Sequence, residues 1–550
     1  MKKLLGDFVA NREKRFVWLC IAIVMIITGL PYLYGFLIAP ANTVYTGIHS
    51  LTPGDINVYY SYIEQVKQGH IIFQDLFTSE NQPRNLFKPF WLGVGAVASL
   101  FHLPSALAVQ LVRLALIPIF IFTLYYFLSY VIEDIKTRWL SLMVLLFSSG
   151  LGGVLAPFLE PLKYISENGA YYHWPMDLWV PESNTFLTLY HLPHFILSTT
   201  LIVASFFFIL RAFQEKRLIY SLLAGLCSLA LFLFHPFHVV TVWLVPLAAG
   251  AILMAARREL SLSWLKSYVI FVLVSAPGLL YQVYLHFSDS FAQQRAGQNI
   301  LLTPAPWLFL VSYGFLLVFA LFGIASIARR LKPGLIFVVV WALVQVALIY
   351  SPIFFQRRLS QGLHVPLAVL AALGLIFLWQ IVSNRLNKIV APSVFLERFI
   401  LAIVFLAFLS GSTIYVLAND IFLYSNRSFP VFYLSDQKAA AFEWIKENTA
   451  ENSVFLSGEP SGNFIPGWTG RRVYVGHGIE TVNRQEKINM MTKFFGNEDW
   501  DRNGFLKQEQ IDYIYYSDWE EEGADFMPKD KPYLELVFEN EDVEIYQVRD

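Results

Sequence analysis

Apolar runs long enough to cross a bilayer recur along the first three quarters of the chain. They fall at about 16–38, 105–131, 138–158, 191–210, 218–234, 238–256, 264–286, 307–328, 334–352, 362–382 and 395–418. Segments of that length and composition belong in hydrocarbon. With no water there to satisfy backbone N–H and C=O groups, each run must close its own hydrogen bonds and is predicted to be a helix. The chain is therefore predicted to be an α-helical polytopic membrane protein of about 11 spans. Its composition agrees: 56% of residues are hydrophobic and only 15% charged, far from the balance of a soluble domain. The apolar run after MKKLLGDFVANREKR is too long for a signal-peptide core and reads as a retained anchor.

The run 88–103, PFWLGVGAVASLFHLP, is short and interrupted by glycine. Charge placement decides how it lies. If it stays on the membrane surface, residues 1–15 and the later loops rich in Lys and Arg all fall on the cytoplasmic side, as the positive-inside rule requires; as a span it would invert every later loop. It is predicted to be a surface helix. The outer loops are then 39–104, 159–190, 287–306 and 353–361.

Charge also divides the chain. Residues 1–418 carry 27 Lys/Arg and 16 Asp/Glu, whereas 419–550 carry 13 and 25. A membrane domain at 1–418 and a soluble α/β domain at 419–550 are predicted, the second extracytoplasmic and the N-terminus cytoplasmic. In the latter, SDQKAAAFEWIKENT reads as a helix capped by Ser435 or Asp436. SVFLSG, RRVYVG, IDYIYYS, YLELVFEN and VEIYQV read as strands. GEPSGNFIPGWTG is Gly-rich but has no nucleotide-binding pattern. The two cysteines, Cys20 and Cys227, lie in apolar runs and match no metal spacing. Nothing in the charge pattern supports nucleic-acid binding.

No acid of the membrane domain lies mid-span; nine stand in outer loops, among them Asp55, Asp177 and Glu182. A coupled transporter usually buries an acid near the bilayer centre, so this placement favours chemistry at the outer surface. Thr52-Pro53-Gly54-Asp55 reads as a helix start, with Thr52 the cap and Asp55 in the first turn. A carboxylate kept ionised there can accept a proton from a hydroxyl; plain capping explains it as well. Tyr59 lies one turn further on. Asp177 and Glu182 stand among aromatic side chains, with His191 and His194 following. That mixture suits a sugar ring, or a divalent cation such as Mg or Mn held by Asp55, Asp177 and Glu182; an interfacial aromatic belt is the plain alternative. The Arg357–Arg358 pair stands outside against the charge trend and suits a phosphate. Arg113 lies inside the second span, where charge is functional or internally paired. His235 and His238 mark an outer turn.

The order of these features resembles the GT-C superfamily of integral-membrane glycosyltransferases. An Asp in the first outer loop (PGDINVYYSYIEQVKQG), acids in the second (MDLWVPE), an Arg-containing late outer turn (QRRLSQGLHVPLA) and an extramembrane C-terminal domain carry the resemblance. The stretch AAFEWIKENT…GRRVYVGHG is similar to domains appended to many bacterial members of the mannosyltransferase and arabinosyltransferase type. The second-loop acids stand five residues apart, not as an Asp-Xaa-Asp pair, and the Trp-Trp-Asp signature of oligosaccharyltransferases is absent. The resemblance implies inverting transfer of a hexose or pentose from a polyprenyl-phosphate-linked sugar to a glycan, lipid or protein acceptor. Asp55 would be the base, with Asp177 and Glu182 completing the catalytic set. Arg357 or Arg358 would hold the phosphate, and Tyr59, His191, His194 and Arg113 would line the substrate site. The competing functions are a lipid-linked glycan polymerase or ligase, for which the 353–361 loop is short, and a non-catalytic transporter or scaffold.

Overall fold

The computed structural model describes residues 11–162, 166–167, 171–327, 332–386, 409–427, 429–496, 500–521 and 526–549. Among them, eight helices are long and apolar enough to cross a membrane: Asn11–Leu37, Ser105–Val131, Ile135–Leu159, Pro193–Glu215, Pro236–Arg257, Leu262–Ser288, Pro306–Ile327 and Gln356–Ser383. The chain is a multi-pass helical membrane protein with an α/β C-terminal region, as its sequence predicts. The count differs. Leu218–Phe232 and Pro333–Leu348 are only 15 and 16 residues long. At 1.5 Å per residue they reach about 22–24 Å, short of the ~30 Å hydrocarbon layer. Proline follows each closely, at Pro236 and Pro352, and proline cannot donate the amide needed to continue. Most of the run 395–418 lies outside the described residues. The 88–103 segment forms a helix over Pro89–Leu100, at 12 residues too short to span.

Two compact units emerge. The first comprises the described residues of Met1–Pro31, Leu111–Tyr284 and Ile300–Asp420. Its core is apolar and aromatic: Trp341 is fully buried, with Phe206 and Phe127 edge-on at 4.7 and 5.8 Å. One buried amide, Gln345, threads this core. It accepts from the Trp341 indole and donates to the carbonyls of Leu359 and Gln361 at 2.8 and 2.9 Å. That bond set matters because it anchors the turn Gln356–Ser360 that carries the arginine pair.

The second unit comprises Tyr32–Gln110, Leu285–Asn299 and the described residues of Ile421–Asp550. Its five-stranded sheet runs, edge to edge, Arg472–Val473, Val454–Leu456, Tyr513–Ser517, Val543–Val548, Leu534–Glu539. The first three strands are parallel and the last two antiparallel. All five lie within the runs read as strands from sequence. The helix Asp436–Asn448 is capped by the Ser435 side chain, which accepts from the Lys438 N–H. The segment 43–78 is woven into this unit. Thr43–Tyr45 pairs antiparallel with Tyr433–Ser435, Thr78 bridges Val475, and the Val473 N–H donates to the Leu76 carbonyl at 3.0 Å.

Candidate functional site

In the second unit the helix Pro53–Lys67 begins with proline at its first turn and carries Asp55 there. The expected Thr52 side-chain cap does not form. Thr52 adopts a left-handed backbone (φ 44°), and its side chain makes no capping bond. A β-branched residue pays for that conformation with strain. Asp55 instead turns to the C-terminal segment. Its Oδ1 lies 3.0 Å from Nε2 of His477. The Asp55 side chain is 44% exposed while that of His477 is 8% exposed. Nδ1 of His477 accepts from the backbone N–H groups of Ile479 and Glu480, at 3.2 and 3.1 Å. Its proton is therefore on Nε2 and points at Asp55. Burial opposes charge on this ring, but the hydrogen bond and charge of Asp55 outweigh it, and the pKa of His477 is raised.

The pair opens on a cleft of about 470 Å³ lined by Gly54, Asp55, Glu459, Pro460, Asn463 and the turn Gly476–Ile479. Glu459, the other acid of the cleft, is held by Arg484 through two 2.8 Å hydrogen bonds. Asn463 fixes the two backbones that carry the pair: its Nδ2 donates to the carbonyls of Gly54 and Gly476, at 3.1 and 2.9 Å. The segment read from sequence as Gly-rich without a nucleotide-binding pattern is the helix Glu459–Thr469 that delivers Asn463. Its glycines have a packing cause. A Cβ on Gly462 would run into the Val475 carbonyl, and one on Gly476 into the Gly462 carbonyl. Tyr59, expected to touch substrate, stacks on Trp91 with centroids 4.5 Å apart.

In the first unit the turn Gln356–Ser360 sets Arg357 over the Trp179 ring at 4.5 Å and Arg358 over the Phe237 ring at 4.8 Å. Glu182 lies 3.9 Å from the Arg358 guanidinium. The turn holding His238 is tied to the same place, because His238 Nε2 and Gln361 Oε1 are 2.8 Å apart. Guanidinium groups on ring faces, with an acid beside one of them, form a partly desolvated cationic patch. Asp177 is placed differently. Its carboxylate is buried, accepts from the Ser412 hydroxyl at 2.5 Å and the Gly152 N–H at 3.2 Å, and closes a cradle in which a Cβ at Gly152 would clash with it. Burial pushes its pKa up to about 7. His191 and His194 are each 1% exposed, packed on Phe195 at 5.4 and 4.1 Å. Arg113 is equally buried and donates to the carbonyls of Leu189 and Thr28, at 3.0 and 3.2 Å, which gives this mid-span charge a structural partner set.

A divalent cation needs several unengaged donors. Among the described residues no group of three His, Cys, Asp or Glu side chains could hold one. Asp177 Oδ2 accepts from Ser412 and Gly152, and Glu182 faces the Arg358 guanidinium.

No protein-family model matches the chain, and no curated protein matches it in sequence. Its fold does have solved counterparts. It is similar to the archaeal oligosaccharyltransferase AglB from Archaeoglobus fulgidus, solved with an inhibitory peptide and a dolichol-phosphate (TM-score 0.56, 13% identity, 92% of this chain and 70% of that one). The apo form of the Archaeoglobus fulgidus oligosaccharyltransferase gives a TM-score of 0.52 at 14% identity over 90% of this chain and 69% of that one. The arabinofuranosyltransferase AftD from Mycobacteria is similar too (TM-score 0.51, 14% identity, 96% of this chain), although the match covers only 42% of its length. These are GT-C glycosyltransferases, and the fold is the GT-C fold that the sequence resembles.

Proposed function

We propose that this chain is a membrane glycosyltransferase that moves a sugar from a polyprenyl-phosphate-linked donor to an acceptor hydroxyl at the outer face of a cell membrane. The observation that carries the reading is Asp55: a half-exposed carboxylate at a helix N-terminus, oriented by His477 in an open cleft. The GT-C fold supports it, and the dolichol-phosphate held by the AglB structure is the kind of carrier a donor here would have.

Asp55 takes the proton from the acceptor hydroxyl as that oxygen bonds to the anomeric carbon. The bond from that carbon to the phosphate oxygen breaks, and its electron pair leaves with the polyprenyl phosphate. Arg357 and Arg358, in the first unit, form a cationic patch whose chemistry suits a lipid phosphate. One displacement inverts the anomeric centre. Glu182 restrains Arg358, and Asp177 straps its own loop to Ser412. The donor sugar is a hexose or pentose, and the acceptor a glycan, lipid or protein. The N-terminus lies in the cytoplasm and the acidic C-terminal segment outside, as the distribution of Lys and Arg requires.

The test is release of polyprenyl phosphate from polyprenyl-phosphate mannose and polyprenyl-phosphate arabinose by the full chain in nanodiscs. Asp55→Asn is expected to lose about 10²–10⁴-fold in turnover, the usual worth of a general base. Full activity in that variant removes Asp55 from the chemistry.

A further inference from the structure

The Asp55 cleft is assembled from segments remote in sequence, and its best-fixed member is not the acid. His477 sits in the turn Gly476–Asn483, which is tied down from several directions. Thr481 Oγ1 accepts from the N–H groups of Gly476 and His477, at 3.1 and 3.0 Å, and donates to the Phe77 carbonyl at 2.8 Å. From the third outer loop, the Gln298 side chain donates to the carbonyls of Ile479 and Thr481, both at 3.0 Å, and accepts from the Asn483 N–H at 3.2 Å. Arg295, in the same helix Ser290–Gln298, bridges Asp75 of the first loop at 3.0 Å and Glu480 at 3.6 Å. The imidazole plane is then set by the Ile479 and Glu480 amides on Nδ1. Asn463 finally links the residue before His477 to the residue before Asp55.

So many restraints on one buried ring suit a part that fixes the angle of another. A half-exposed aspartate alone would sample several rotamers, and only some would aim a carboxylate lone pair into the cleft. We infer that His477 is a positioning residue: its Nε2–H holds Oδ1 of Asp55 and so fixes the direction in which this carboxylate accepts the proton of an acceptor hydroxyl bound in the cleft. The C-terminal segment thereby supplies a working part of the site. The inference rests on the proposed role of Asp55 as base and adds a residue that orients it.

The experiment compares His477→Leu, His477→Gln and Asp55→Asn in the full chain in nanodiscs, with the same mannose and arabinose donors. Thermal unfolding of each variant sets the folded fraction. Glutamine can place an amide N–H near the position of Nε2, and leucine cannot. Per folded molecule, His477→Leu is expected to lose about ten- to a hundredfold in kcat, the worth of one hydrogen bond to a charged group, with donor KM within about twofold. His477→Gln is expected to recover most of that loss. A ¹⁵N-histidine spectrum should show His477 protonated on Nε2 and its signal displaced in Asp55→Asn. An inactive Asp55→Asn beside a His477→Leu of unchanged kcat overturns the inference and leaves the proposed function standing. Equal loss in the leucine and glutamine variants also overturns it. An active Asp55→Asn, or no turnover of either donor by the unmodified chain, removes the function and the inference together.

Discussion

Asp177→Asn separates a structural strap from a substrate-facing acid, and its effect can be worked from the burial of the carboxylate. Burial raises that carboxyl from 3.8 to about 7. The folded state therefore holds the proton more tightly than the unfolded chain. Its contribution to stability is full below pH ~3.8, declines as pH rises toward ~7, and is lost above. A shift of about three units corresponds to ~4 kcal/mol at most. Asparagine is neutral throughout, and its carbonyl can still accept from Ser412 and Gly152. Unfolding of the two proteins in detergent, monitored from pH 4.5 to 8.5, should show the native chain losing ground to Asp177→Asn as pH rises, by several degrees in Tm. Turnover of the variant per folded molecule should stay within about threefold at pH 7. Parallel pH curves would refute the burial argument. A hundredfold loss of turnover at undiminished stability would return Asp177 to the chemistry.

The arginine turn and the glycine contact give two further expectations. Arg358→Ala should raise donor KM about tenfold or more, since a charge-assisted hydrogen bond is worth ~1.5–3 kcal/mol; Arg358→Lys should recover only part, because a point charge replaces a planar fork. An unchanged KM in both variants takes the phosphate away from this turn. Gly462→Val should destabilise the second unit by about 1–3 kcal/mol through overpacking, read as protease sensitivity of the C-terminal segment; a variant as resistant as the native chain would contradict the close backbone approach at Val475.

What was legible in the sequence follows from what is local. Apolar length located the membrane helices, and alternation located the five C-terminal strands; of the two caps the sequence offered, Ser435 and Asp436, Ser435 is used. Where a local rule met a tertiary demand it failed. Leu218–Phe232 and Pro333–Leu348 stop short because of the prolines beyond them, which hydropathy averages over. Thr52 has every mark of a cap, yet its backbone is turned into the left-handed region and Asp55 bonds elsewhere. GEPSGNFIPGWTG has poor helix propensity and is helical because its small residues let it lie against the chain at Val475 and Gly476. Asp177 and Glu182 look alike in sequence, but one is buried with Oδ2 bonded to Ser412 and Gly152, and the other faces a guanidinium. His477 was visible within GRRVYVGHG, but no local pattern reports a partner 422 residues away.

That separation has a consequence for how the protein is made. Chains are synthesised at about 5–20 residues per second, so roughly 20–80 s pass between the emergence of Asp55 and that of His477, 422 residues later. For most of that interval Thr43–Tyr45 lacks the strand it pairs with and Thr78 lacks Val475, and to its end the Asp55 carboxylate has no imidazole to hold it. The nascent chain is thus a membrane protein whose segment 39–104 waits, unfinished, for its last quarter. A molecule released before His477 would carry the acid without the part that aims it, so emergence of the C-terminal segment is itself the step that arms the site.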